Sequence, residues 1–267
     1  MTSIYSLNDP ARRSEGFAEA KEALTSGALV VMPTDTVYGI AADAFDAAGV
    51  RRLLRAKGRG RNMPTPVMIG SSDTMRALAT SLTAETRELA AAMWPGALTI
   101  ICRQQPSLRW DIGDSRGTVA LRVPAHDDAI DLLLDNGPLA VSSANTTGMP
   151  PATTIAEAEG MLQETVDVYL DGGPTPGPTP STIVDATGSV LRVVRVGVIS
   201  VARLREVVPS IEAPDDFDEP ELFEGFASPG SEGDEGADGE PPGQPAIPEQ
   251  TLPQAYDSDG GPRPPGD

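Results

Sequence analysis

Cysteine and histidine are nearly absent: the 267 residues hold one of each, Cys102 and His126. A single thiol excludes a disulfide framework within the chain. Cys102 ends the apolar run Leu98 to Cys102 and reads as a buried structural thiol. One Cys and one His far apart leave no zinc-type cluster. A Ser-His-Asp triad would have to be built on His126, which sits in the polar stretch Pro124 to Asp128 at an expected helix start and reads as a solvent-facing or capping residue. Aromatic residues make up 4% of the chain, few for a protein that reads single-stranded nucleic acid by stacking. No apolar run approaches membrane-spanning length, and Met1 to Arg13 holds no apolar stretch like a signal peptide. The expectation is a soluble, cytoplasmic protein with no membrane partner. Neither a G-x-x-x-x-G-K-[ST] phosphate loop nor a G-x-G-x-x-G after a strand is present, which removes the two commonest nucleotide fingerprints.

What is abundant is acid, and it is unevenly spread. The formal net charge is -19. From Ile211 to Asp267 there are 16 Asp+Glu against one Arg, which leaves 23 acids and 19 bases in the preceding residues. The low isoelectric point therefore describes the C-terminal segment. That segment also holds 11 Pro and 9 Gly in 57 residues, a composition that cannot bury enough apolar surface to offset chain entropy. Residues 1–210 are expected to fold and 211–267 to form a disordered acidic tail. The short stretch Glu219 to Phe226, with Leu222, Phe223 and Phe226, reads as plain disorder ahead of a weak docking motif.

Before the tail, helix-like and strand-like runs alternate. Phe17, Ala20, Ala23 and Leu24 place a helix over Ser14 to Ser26, stopped by Gly27. Further helices are expected over Asp46 to Ala56, Thr83 to Met93, Asp127 to Leu134, Thr154 to Gln163 and Ser200 to Val207. Short apolar runs predict strands at Ala28 to Met32, Tyr38 to Phe45, Pro66 to Ile69, Ala97 to Cys102, Val119 to Val123, Leu139 to Val141, Val168 to Leu170, Thr182 to Val184 and Val190 to Val196. This order predicts one α/β domain with helices packed on a twisted sheet. The last strands come without helices between them, so the sheet should be mixed.

Four polar clusters interrupt the apolar strands. Pro33-Thr34-Asp35-Thr36-Val37-Tyr38-Gly39 follows a strand and places hydroxyls where ligands meet open sheets. Lys57-Gly58-Arg59-Gly60-Arg61 spaces three cations with glycines, suited to phosphate oxygens, although composition alone favours a solvated basic loop. In Thr118-Val119-Ala120-Leu121-Arg122, an arginine ends an otherwise apolar strand and needs a partner, for which a substrate carboxylate is one candidate. Ser142-Ser143-Ala144-Asn145-Thr146-Thr147-Gly148 gathers small hydroxyl and amide groups at a strand end.

In order, the segments SGALVVMPTDTVYGIAADA, AKGRGRNMP, MWPGALTI, TVALRVP, SSANTTGMPPAT, PSTIVD and LRVVRVG resemble the YrdC-like family, whose members include threonylcarbamoyladenylate synthases. The resemblance spans about Leu24 to Val208. It implies a twisted α/β sheet around a concave basic cleft. It also implies an enzyme that combines L-threonine, bicarbonate and ATP into threonylcarbamoyladenylate and pyrophosphate. The product would serve a tRNA-modifying threonylcarbamoyltransferase complex, with direct tRNA contact a further implied partner. By position, Lys57 and Arg59 match the pair that holds ATP phosphates and neutralises charge in catalysis. Thr118, Asn145, Thr153 and Arg195 match nucleotide contacts. Thr36, Arg122, Ser143 and Ser181 match threonine contacts. Magnesium is expected on the ATP phosphates, held by water and phosphate oxygens without a protein cage.

The chain departs from the pattern at Met63, where many relatives carry Asn or Lys, and at Met68, where some carry His. Neither methionine is assigned to the site, because a thioether donates no hydrogen bond. Some relatives also carry a second folded domain where this chain has its tail. Two other readings use the same cleft: a non-catalytic RNA-binding module, and an enzyme that adenylylates carbamoyl phosphate.

Overall fold

The computed structural model describes residues 2–213. The predicted tail from 214 onward, with the Glu219 to Phe226 stretch, lies outside the described residues. The described residues extend past the boundary drawn at 210. Ile211 is buried against the core, and Glu212 pairs with Arg192 at 2.9 Å.

The strands are β1 (Ser3–Ser6), β2 (Val30–Met32), β3 (Gly39–Asp43), β4 (Val67–Met68), β5 (Ala79–Thr80), β6 (Leu98–Gln104), β7 (Thr118–Arg122), β8 (Leu139–Ser143), β9 (Val168–Asp171), β10 (Thr182–Asp185) and β11 (Arg192–Arg195). The helices are α1 (Pro10–Thr25), α2 (Ala47–Ala56), α3 (Met75–Leu78), α4 (Ala84–Met93), α5 (Asp127–Asn136), α6 (Ile155–Leu162) and α7 (Val201–Val207). Among the described residues the strands form one mixed sheet in the order β1-β9-β2-β3-β8-β4-β7-β6-β10-β11, with β5 paired to β6. The late strands behave as expected: β10 runs parallel to β6 and antiparallel to β11.

The continuous apolar runs follow from burial on both faces of the sheet. In β2, Val30 and Met32 pack with α1 and α5, while Val31 packs on the other face with Leu53 of α2 and Leu162 of α6. A third cluster joins α4 and α7 to β6, where Leu98, Ile100 and Cys102 lie inside. Cys102 is buried as expected, and burial pushes its thiol pKa up to about 12.

Helix boundaries follow their caps. Helix α1 starts at Pro10, ahead of the predicted Ser14, because Asp9 accepts from the amides of Ala11 and Arg12 and Pro10 tolerates the first helical position. Asp46 caps α2 through Ala48 N and Gly49 N. Thr83, the first residue of the expected helix, caps α4 by accepting from Thr86 N. Strand β1 was not foreseen, since Ser3–Ser6 carries one buried residue, Tyr5, and is held by its parallel ladder with β9. The short α3 and β5 also escaped sequence reading, being four and two residues long. No described helix is long and apolar enough to cross a membrane.

Candidate active site

Strand register builds the site. Met68 on β4 pairs with Arg122 on β7. Ile100 pairs with Leu121, which sets the preceding Thr99 beside Arg122. Thr99 pairs with Ile183 on β10, and Ile183 pairs with Arg195 on β11. On the other side, Gly39 of β3 pairs with Ser143 of β8. Paired residues project to the same face of a sheet, so strands remote in sequence contribute one row of side chains. Met68, Thr99, Arg122, Ile183, Arg195, Gly39 and Ser143 line one cavity, together with Thr34, Thr36, Arg59, Ser142 and Ser181. A one-residue slip in any strand would turn its contribution to the opposite face.

Arg122 is the centre of the row and is only 4% exposed. Its guanidinium donates from Nη2 to Asp35 Oδ1 at 2.6 Å, from Nη1 to Thr36 Oγ1 at 3.1 Å and from Nε to Gly96 O at 3.0 Å. The partner that the sequence left open is therefore supplied in part by the chain itself, through Asp35. Gly96 belongs to the MWPG turn, which is braced by Trp94 Nε1 donating to Leu98 O at 2.7 Å. Thr34 and Thr36 share a hydroxyl contact at 3.1 Å, and Thr34 Oγ1 donates to Val37 O at 2.7 Å. The PTDT segment is thus wound on itself, with its hydroxyls buried against Arg122.

Two more arginines converge on the cavity. Arg59 Nη1 donates to Ser142 Oγ at 3.2 Å, while its buried Nε has no partner. Arg195 donates to Ser181 O from Nε at 3.1 Å and from Nη2 at 2.7 Å. Ser181 Oγ lies 2.9 Å from Thr99 Oγ1. Burial lowers the pKa of all three arginines, and Arg122 and Arg59 lower that of Arg195 further by like-charge repulsion. Among the described residues, no carboxylate lines this cavity. Three guanidiniums facing shared space, one with an orphaned N–H, make a receptor for anionic groups.

The predicted residues separate into two groups. Thr36, Arg122, Ser143 and Ser181, matched to threonine, all line the cavity with Arg59 and Arg195, matched to ATP. Lys57, Thr118, Asn145 and Thr153 are not among its lining residues. Thr118 starts β7, the opposite end from Arg122, and its hydroxyl donates to Ser115 O at 2.7 Å. Thr153 sits at the start of α6, bonded through N and Oγ1 to Glu157. Asn145 spends both ends of its amide internally, accepting from Ser143 Oγ and Lys57 Nζ and donating to Thr146 O and Met149 O. Lys57 is fully buried beneath that turn.

Met68, left unassigned above, is a lining residue: its register with Arg122 carries it into the cavity. Met63 is exposed and outside the lining set. His126 occupies the N-cap position of α5 but makes no capping bond, and its Nδ1 is buried without a partner. Sequence reading also missed Asp35 and Thr99. The signal for Asp35 was present, since a buried arginine demands an anion; that for Thr99 was hidden in an apolar run.

Gly39 shows how close the packing is. A Cβ there would lie 2.7 Å from Val141 Cγ1. Gly39→Ala is expected to push Val141 into the cavity and lower activity roughly tenfold with little loss of fold. Steady-state rates alongside circular dichroism would check this.

A larger groove runs beside α6, lined among others by Glu159, Glu164 and Asp167. Its charge has the wrong sign for a polyphosphate, so the arginine-lined cavity is the candidate active site.

The family model for Sua5/YciO/YrdC proteins, described as "Telomere recombination", matches residues 22–197. The chain belongs to this family. A relative from Mycobacterium leprae, named putative threonylcarbamoyl-AMP synthase, is 51% identical over 213 residues, covering 80% of this chain and 97% of its own. The threonylcarbamoyl-AMP synthase of Pyrococcus abyssi is 33% identical over 189 residues, and this chain spans 56% of that protein's length. A solved structure of P. abyssi Sua5 complexed with L-threonine matches with a TM-score of 0.74 and 29% identity, over 80% of this chain and 63% of that one. The expected YrdC-like fold is thereby established, and the mixed sheet described above is that of the Sua5/YciO/YrdC family.

Proposed function

We propose that this Sua5/YciO/YrdC-family chain is a threonylcarbamoyl-AMP synthase, a nucleotidyltransferase that converts L-threonine, bicarbonate and ATP into threonylcarbamoyladenylate and pyrophosphate. The observation that carries the reading is the convergence of Arg59, Arg122 and Arg195 with the hydroxyls of Thr36, Ser143 and Ser181 on one cavity. The names of the similar proteins support it, including that of a relative half identical over most of this chain.

The chemistry fits such a site. The threonine amine and bicarbonate yield a carbamate with loss of water. A carbamate oxygen then attacks the α-phosphorus, and pyrophosphate leaves as the P–O bond breaks. The carbamate is already an anionic nucleophile, so the demand is for alignment and charge neutralisation more than for a base. Arg122 has three donors committed, to Asp35, Thr36 and Gly96. A guanidinium offers five, leaving two for a substrate carboxylate. In this reading Thr36 and Ser181 are threonine contacts. The unpaired Nε of Arg59 and the exposure of Arg195 support assigning these two cations to the phosphates.

Magnesium would enter on ATP and neutralise the departing pyrophosphate. In this reading the ion is carried by phosphate and water rather than by a protein cage. The proposed onward partner is a threonylcarbamoyl-transferring complex that acts on tRNA.

The direct assay is pyrophosphate release from ATP, with threonine, other amino acids and carbamoyl phosphate compared side by side. Release that requires both threonine and bicarbonate is expected. Equal release with carbamoyl phosphate, or tight RNA binding with no turnover, would replace the reading. Arg59→Ala is expected to raise the KM for ATP about tenfold or more while changing that for threonine less. An equal change in both would contradict the division of roles.

A further inference from the structure

Lysine is scarce in this chain: Lys21 and Lys57 are the two. Lys21 is exposed on α1, whereas Lys57 has 0% exposure. Lys57 is the C-cap residue of α2. Its Nζ donates to Ser143 O through a very short contact, to Asn145 O at 2.7 Å and to Asn145 Oδ1 at 3.1 Å. Its own carbonyl accepts from Thr147 N at 3.0 Å and from Thr147 Oγ1 at 2.6 Å. One residue therefore grips the 143–147 turn at both ends. An ammonium has three N–H donors, and all three are taken by protein oxygens.

The following residues explain how the neighbouring cation reaches the cavity instead. Gly58 adopts φ +64°, the left-handed region that glycine enters at little cost. The chain reverses there, and Arg59 emerges on the cavity side with Nη1 on Ser142 Oγ. The two cations of the KGR segment thus both hold the end of β8, Lys57 through Ser143 O and Arg59 through Ser142 Oγ.

We propose that Lys57 is a positioning residue, an internal cation that clamps the 143–147 turn from beneath so that Ser142 and Ser143 face the cavity, with the phosphate contacts of this segment left to Arg59. The inference rests on reading the cavity as the synthase site. It reassigns the residue whose charge and position in the KGR segment matched a phosphate ligand. The chemistry of the pocket favours lysine specifically. Three oxygens surround one nitrogen, a geometry that a tetrahedral ammonium satisfies and a planar guanidinium does not. Burial, and then Arg59, push the Lys57 pKa down to about 7, while the three acceptors favour its charged form.

The test uses the scarcity of lysine. The folded, unliganded protein is treated with trinitrobenzenesulfonate, and the labelled peptides are quantified. Lys21 should react while Lys57 resists, equally with and without MgATP, and both should react in denaturant. Rapid labelling of Lys57 that MgATP suppresses would show an accessible phosphate ligand and overturn the proposal. This labelling of free protein does not depend on the reaction, so a failed synthase assay and a failed clamp are told apart. Lys57→Met and Lys57→Arg are then compared by kcat per folded molecule, well below the melting transition. Both should lose roughly 100-fold, as expected for a misplaced site, with the KM values for threonine and ATP moving together. A change confined to the ATP KM, or an unchanged kcat with only a lower Tm, would refute the positioning role.

Discussion

Replacing Arg122 by alanine should remove measurable threonine-dependent pyrophosphate release and cost about 3–5 kcal/mol of stability, the usual penalty for stranding one member of a buried ion pair. Asp35, whose side chain is 14% exposed, would lose its 2.6 Å partner. Thr36 Oγ1 and Gly96 O would each lose a donor. The two effects separate in a double variant. Asp35→Asn with Arg122→Met removes both charges together and should recover much of the stability, because neither charge is left buried alone. It should recover none of the activity, because Arg122, the proposed cation for the substrate carboxylate, is still missing. Urea denaturation and pyrophosphate release at varied threonine would report the two quantities. Activity of Arg122→Ala within a few-fold of wild type would show that Arg122 serves only to neutralise Asp35. For ATP binding a smaller loss is expected, since Arg59 and Arg195 remain.

Gly197→Ala is the second large effect. A Cβ at this position would lie 2.1 Å from Pro180 O, 2.5 Å from Ser181 C and 2.6 Å from Ser181 O. These are main-chain atoms that cannot rotate aside, so the segment after β11 must move away from the start of β10. That movement would break the bonds from Gly197 N to Thr182 Oγ1 at 2.9 Å and from Val198 N to Pro180 O at 3.1 Å. It would also carry Arg195 off Ser181. A loss of about 3 kcal/mol or more is expected, with activity falling beyond what the unfolded fraction explains. Gly177→Ala is the matched control: nothing lies within 4 Å of its added Cβ, and it should behave like wild type in both thermal melting and turnover. If Gly197→Ala melted with its control, the close approach of the two segments would be disproved.

Much of the fold was legible in local pattern. A helix was expected over Asp46 to Ala56, and the structure returns α2 there, capped by Asp46 and burying Val50, Leu53 and Leu54. Elements whose stability is not local were missed. Strand β1 exists because β9 offers it a ladder, and β5 because it pairs with β6; neither has a periodicity of its own. The site was legible as a set of residue types but not as a partition. Lys57, Arg59 and Arg61 look equivalent in sequence. Burial sends the first under the turn and the second into the cavity, while Arg61 lies on an exposed carboxylate pair, Asp111 and Asp114. The arginine that needed a counter-ion was visible, and the acid in the loop between β2 and β3 that provides it was not singled out.

By itself, the near absence of cysteine and histidine determined that this protein has no disulfide framework within the chain and that chemistry built on a thiolate or imidazole had one candidate residue each. The ordered PTDTVYG, KGRGR and SSAN segments determined the family. Only the tertiary structure decided which of those polar groups share one space. Strand register brings Met68, Thr99, Arg122, Ile183 and Arg195 into a single row, and burial turns Lys57 from a free cation into an internal clamp. The physical reason is that local sequence sets the period of each element, whereas long-range pairing sets which face of each strand meets its neighbours and which charges water can still reach.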